Sequence, residues 1–152
     1  MTLARPIHAN ALGSVEISER EITRLLLEAL PCGALLIDTE GRISAVNQQA
    51  EIILGWAPPA LEEQPAHDLL RCYAEDNVDL PDNCPISRIL RGENVAPAAR
   101  MWVRCRGDSR KPIEYRCTPY PTGKGLGAIL AFSDITRHLE LEKDLRALAS
   151  IA

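Results

Sequence analysis

The sequence predicts an α+β fold: a five-stranded antiparallel sheet with short helices on one face, and a further helix at each end. Three observations carry this expectation. Between Gly33 and Gly55 a hairpin pattern runs straight into a short helix capped at both ends. From Val95 to Ser133 apolar and polar residues alternate, as in half-buried strands. Both flanks, residues 18–31 and 137–152, show helical spacing of apolar residues.

Residues 1–17 carry no clear period and read as a flexible lead-in. Ser18-Glu19-Arg20-Glu21 then matches a capping box, with Ser at the N-cap and Glu at N3. Ile22, Leu25, Leu26, Ala29 and Leu30 follow at helical spacing, and Pro31 marks where that helix has ended. Leu27 departs from the stripe, which widens the apolar face and predicts packing on the sheet or on a second copy of the chain.

Apolar runs at residues 34–37 and 43–46 flank a short loop in which Gly41 supplies a positive φ beside Asp38. Asn47 is the expected N-cap of the next helix, and Gly55 the left-handed residue that stops it. Pro58, Pro59, Pro65 and Pro81 then forbid a long helix through residues 57–83. Met101, Val103 and Cys105 form one phase of a strand, and Ile113, Tyr115 and Cys117 one phase of the next. Turns at residues 107–110 and 123–127 connect them to a final strand, 128–132, that is apolar throughout. His138, Leu141, Leu145, Leu148 and Ala152 recur like a coiled-coil seam of about two heptads. So short a seam predicts continuation in further sequence, or pairing within an existing dimer, and reads as part of something longer.

A chain of 152 residues is one domain by default and can bury about 68–70% of its unfolded surface. With 46% hydrophobic and 25% charged residues it is neither disordered nor fibrous. A net charge of −4 argues against nucleic acid as the main partner. No apolar run approaches the roughly 20 residues of a membrane span, and residues 1–13 lack the apolar core of a signal peptide. A cytoplasmic location is expected. Five cysteines at scattered spacing fit reduced thiols better than a disulfide framework.

The stretch from Gly33 to Trp56 also resembles the opening of a PAS domain, a small sensor module. Asp134-Ile135-Thr136, at the end of the last apolar strand, resembles the triplet that marks the exit from the PAS sheet into an output helix. Residues 84–93 are similar to the helix preceding the three-stranded half of that sheet, and residues 106–114 to the turn between its next two strands. The resemblance covers roughly residues 25–137. It implies residues 18–31 as a flanking helix, 32–136 as the PAS domain and 137–152 as an output helix. It also implies that residues 57–83 form one wall of a ligand cavity.

Asp134 and Thr136 are the leading functional candidates. A carboxylate and a hydroxyl at a strand-to-helix junction can bond local N–H groups and a nearby cation, fixing the angle at which the helix leaves. The same bonds would serve a plain helix cap. Pocket-facing candidates are Leu36, Ile53, Ile89, Val103, Tyr115, Leu130 and Phe132, residues that would equally fill a dry core. His67, Cys72 and Cys84 supply three metal ligands at loose spacing, short of the usual four, so no metal is expected. Cys72 and Cys84 remain a candidate redox pair, while Cys32, Cys105 and Cys117 read as core residues.

Asn83-Cys84 is followed by Pro-Ile-Ser, unlike the flavin-photoadduct subfamily, and the last strand lacks that subfamily's glutamine. A redox flavin (FAD) stacked near Trp56 or Trp102 stays open, as does haem on His67, although helix 85–91 has no histidine. His138 lacks the neighbours of a phospho-accepting histidine, and Gly123, Gly125 and Gly127 around Lys124 precede a strand, as in a hairpin, not a phosphate loop. Arg100, Arg104, Arg106, Arg110 and Lys111 read as a solvated basic edge near Trp102. The expectation is a sensory input module, not an enzyme. It binds a small-molecule ligand or forms a homodimer, and signals through the last helix to a downstream effector domain such as a histidine kinase or diguanylate cyclase. A thiol enzyme is disfavoured, because no cysteine has a convincing base nearby in sequence.

Overall fold

The structure, a computed structural model, describes residues 18–71, 84–93 and 99–151. Helix α1 (Glu19–Glu28) opens on Ser18, whose hydroxyl accepts from the Glu21 N–H at 3.2 Å. Strands β1 (Gly33–Ile37) and β2 (Ile43–Val46) form the first hairpin. The Asp38 carboxylate accepts from the N–H groups of Glu40 and Arg42, and Gly41 sits at φ 84°. Helix α2 (Gln48–Leu54) is capped by Asn47 and stopped by Gly55 at φ 77°. Short helices α3 (Pro58–Leu61), α4 (Ala66–Leu70) and α5 (Pro85–Leu90) follow.

Strand β3 (Ala99–Arg104), a single 3-10 turn (Arg106–Asp108), β4 (Arg110–Thr122) and β5 (Gly125–Asp134) complete the sheet. Helix α6 (Thr136–Ile151) closes the described chain. The strand order is β2-β1-β5-β4-β3, antiparallel at every junction. The last strand in sequence is therefore the central one, and it feeds directly into α6.

The β4–β5 hairpin is longer than the alternation predicts, and β4 runs on through Pro119 and Pro121. They pair on one side with Ala128 and Leu126 of β5. On the other side β4 has run past the described length of β3, whose first pair is Ala99 with Tyr115. The hairpin loop is correspondingly tighter, with Gly123 and Lys124 alone between the strands.

The core lies between one face of the sheet and helices α2–α5. Leu35, Ile37, Leu54, Leu61, Leu70 and Ile86 are among its largest fully buried apolar side chains. Two expectations change here. Leu36 is out of phase with Leu35 and Ile37, so it stands on the opposite face of the sheet, half-buried in a cleft beneath α1. In α1 the periodic residues Ile22, Leu25 and Leu26 are exposed, and Leu27 alone is buried. The off-pattern leucine packs inward, and the stripe faces outward.

Candidate functional site

Asn47 is the one buried polar or charged residue of the described core, 1% exposed. Its Oδ1 accepts from the N–H groups of Ala34 at 2.9 Å and Ala50 at 3.0 Å. Its Nδ2 donates to the carbonyls of Leu27 at 2.8 Å and Cys32 at 2.9 Å. All four hydrogen-bonding positions of the amide are thus used. The sequence marks Asn47 as a cap; the fold also makes it the tie between α1, β1 and α2.

At the same end of the sheet, on its central strand, Asp134 ends β5. Its Oδ1 accepts from the N–H of Thr136 at 2.9 Å and from the Thr136 hydroxyl. Between them, the Ile135 N–H donates to the Pro112 carbonyl on β4 at 3.0 Å. Asp134, Ile135 and Thr136 are therefore assembled as one junction, fixed to the sheet and to the first turn of α6.

Lys111 adds what the sequence reading missed. It ends the inward row of β4, in phase with Ile113, Tyr115 and Cys117. Its Nζ donates to the Ile53 carbonyl at 2.7 Å and lies 3.9 Å from Asp134 Oδ2. It thereby satisfies an orphan carbonyl in the last turn of α2 and sets a cation near the exit carboxylate. The signal was a lysine continuing an apolar phase at a strand end. The Cys105 thiol is held above its ordinary range, chiefly by burial, with Lys111 opposing and Asp134 adding to the rise.

The expected basic edge is only partly solvated. Arg104 donates to the carbonyls of Leu69 at 3.2 Å and Asp68 at 3.0 Å, capping the end of α4. Arg100 reaches both carboxylate oxygens of Glu142 on α6 at 3.5 Å, and Glu114 at 3.6 Å. Arg100 also holds the Glu142 carboxyl below the usual carboxylate range, helped by His138. These bonds lay the start of α6 over the outer face of β3 and β4. The seam residues Leu141, Leu145 and Leu148 remain exposed, as does Ile151.

The remaining pocket candidates, Ile53, Ile89, Val103, Tyr115, Leu130 and Phe132, all belong to the buried cluster, while Leu36 does not. Cys72, Asn83 and the latter part of the expected cavity wall, residues 72–83, lie outside the described residues. Cys84 is fully buried, and Cys117, with Cys84 nearby, is pushed up to about 12 mainly by burial. No group of three or more His, Cys, Asp or Glu residues is arranged to hold a metal among the described residues. Trp56 Nε1 and His67 Nδ1 are buried without a hydrogen-bond partner among the described residues.

Comparison with known proteins agrees with this architecture. The family model for the PAS fold matches residues 27–140, and the chain belongs to that family. PAS domains are regulatory modules. A curated relative, the probable diguanylate cyclase DgcE of Escherichia coli (strain K12), is 24% identical over 141 residues. The match takes in 91% of this chain but only 12% of that protein's length. Among solved structures, an RNA-binding light-oxygen-voltage receptor superposes with a TM-score of 0.61 at 18% identity, covering 99% of this chain and 41% of that one. The PAS domain of a two-component sensor histidine kinase gives 0.57 at 10% identity, covering 76% and 96%. At these identities the structural likeness speaks for the fold. No helix among the described residues is long and apolar enough to cross a membrane.

Proposed function

We propose that this PAS domain is an input module whose interior, between the sheet and helices α2–α5, takes a small ligand, and whose homodimeric α6 carries the response to an effector domain. A histidine kinase or a diguanylate cyclase is the effector class that fits, given the company such domains keep in the proteins it resembles. The carrying observation is the Lys111–Asp134–Thr136 chain. It runs from the last turn of α2, on the ligand side, to the first turn of the output helix. A displacement of α2 pulls on Lys111, and so changes the cation beside the carboxylate that caps α6.

The exposed seam of Leu141, Leu145, Leu148 and Ile151 supports pairing of two copies along α6. Hydrogen exchange tests the relay. Lys111→Met should raise exchange in residues 136–142 while leaving β1 and the centre of β5 protected. Unchanged exchange in α6 refutes the relay. Leu145→Asp with Leu148→Asp should convert a dimer to monomer by sedimentation, and an unaltered mass refutes pairing through the seam.

A second reading, a flavin or haem sensor of redox state or gas, is favoured by Trp56 Nε1 and His67 Nδ1, which are buried without a partner among the described residues. Buried polar groups of this kind ordinarily find a partner, and a cofactor could provide one. The visible absorption spectrum of freshly purified protein separates the readings, since the cofactor reading requires a coloured protein.

A further inference from the structure

Between the outer face of β3–β4 and helix α6 lies a cleft of about 410 Å³, separate from the core. Its floor is Trp102, half-buried, beside Pro112, its cross-strand partner. Its walls hold Arg100, Arg110, Lys143 and Arg146, against only two acids, Glu140 and Glu142. Such a concentration of cations is conspicuous on a chain of net charge −4. Glu142 is already engaged by Arg100 and lies 3.1 Å from His138. Lys143 and Arg146, one turn apart on α6, face the same space from the helix side.

We infer that this cleft binds a planar aromatic molecule carrying a phosphate group. The ring lies on Trp102 and Pro112, and the anion is held by Lys143 and Arg146. The volume falls within the range of small-molecule sites, about 300–1,000 Å³. An indole face contributes ring stacking, and an anion between two cationic side chains gains charge-assisted hydrogen bonds. Arg100 is already engaged by Glu142 and Glu114, so the anion's partners in this cleft are Lys143 and Arg146. The inference does not depend on the core ligand or on signal relay.

The test uses the whole chain with AMP and 1-naphthyl phosphate as probes, and adenosine and inorganic phosphate as half-probes. Binding is read by calorimetry, and by tryptophan fluorescence in a Trp56→Phe background where Trp102 is the sole reporter. At least one ring-phosphate probe should bind saturably below about 1 mM, at least tenfold more tightly than either half-probe. The Lys143→Ala/Arg146→Ala pair should weaken that probe at least tenfold. Both positions lie on an exposed stretch of helix, and an unchanged circular dichroism spectrum checks that the fold is kept. The inference is overturned if neither ring-phosphate probe binds. It is equally overturned if inorganic phosphate binds as well as they do, or if the double substitution leaves affinity unchanged.

Discussion

Replacing Asn47 with Ala removes four hydrogen bonds centred on one side chain that is 1% exposed. Loss of the cap on α2, through the Ala50 N–H, costs about 1 kcal/mol. The Ala34 N–H loses its side-chain acceptor inside the fold, at about 1–3 kcal/mol. The Leu27 and Cys32 carbonyls each lose a donor, worth about 0.5–1.5 kcal/mol net. Shared relaxation trims the total, so about 3–6 kcal/mol is expected, against a whole-domain stability of about 5–15 kcal/mol. Urea unfolding followed by circular dichroism measures it. Asn47→Asp sharpens the test, since it keeps both acceptor bonds but turns two donors into charged acceptors facing carbonyls. Its carboxyl titrates higher in the folded state than in the unfolded one, so this variant should gain stability as the pH falls through that range. A loss below about 1 kcal/mol for Asn47→Ala, with an unchanged denaturant slope, would refute the account of Asn47 as a tie.

Two further outcomes are expected. At Gly127 a Cβ would sit 2.5 Å from the Tyr120 ring and 2.7 Å from the Ile37 carbonyl oxygen, so Gly127→Ala should destabilise by about 1–3 kcal/mol and disturb the Tyr120–Ile37 bond. A thermal midpoint equal to the parent's contradicts that. Burial raises Cys117 from 9.0 to about 12, so the folded state holds this proton longer than the unfolded chain. Its stabilising contribution is complete below pH 9.0 and lost progressively as pH approaches about 12. Cys117 should accordingly resist alkylation at pH 8 until urea unfolds the protein, and rapid labelling of the native state would contradict its burial.

The elements fixed by local chemistry were legible in the residues themselves. Ser18, Gly41, Asn47 and Gly55 each declare a cap or a turn, and each sits in that role. The family resemblance likewise agrees with the strand order and the matched region. What sequence could not disclose were matters of facing. Leu36 sits in an unbroken apolar run, which gives no phase, so only pairing with β5 decides which side it takes. Leu27 looks like an interruption of a stripe, yet tertiary contact selects it and leaves the stripe outside. Lys111 and Arg104 looked like surface charge, because the carbonyls they serve, at Ile53, Asp68 and Leu69, lie far away in the chain. Helix ends create such demands only once the fold has brought them to a strand.

Helix α6 has one side against the sheet and another turned outward, and the two meet at consecutive residues: Glu142 holds Arg100, while Leu141 stands exposed. Neighbours on a helix are separated by about 100° of rotation. One azimuth of the helix therefore satisfies the sheet and presents the leucines at the same time. A roll of a quarter-turn would bring a carboxylate into the leucine row and swing a leucine toward the arginine. The resting angle of the helix is thus set jointly by the Arg100–Glu142 pair and by the Asp134–Thr136 junction that anchors its first turn.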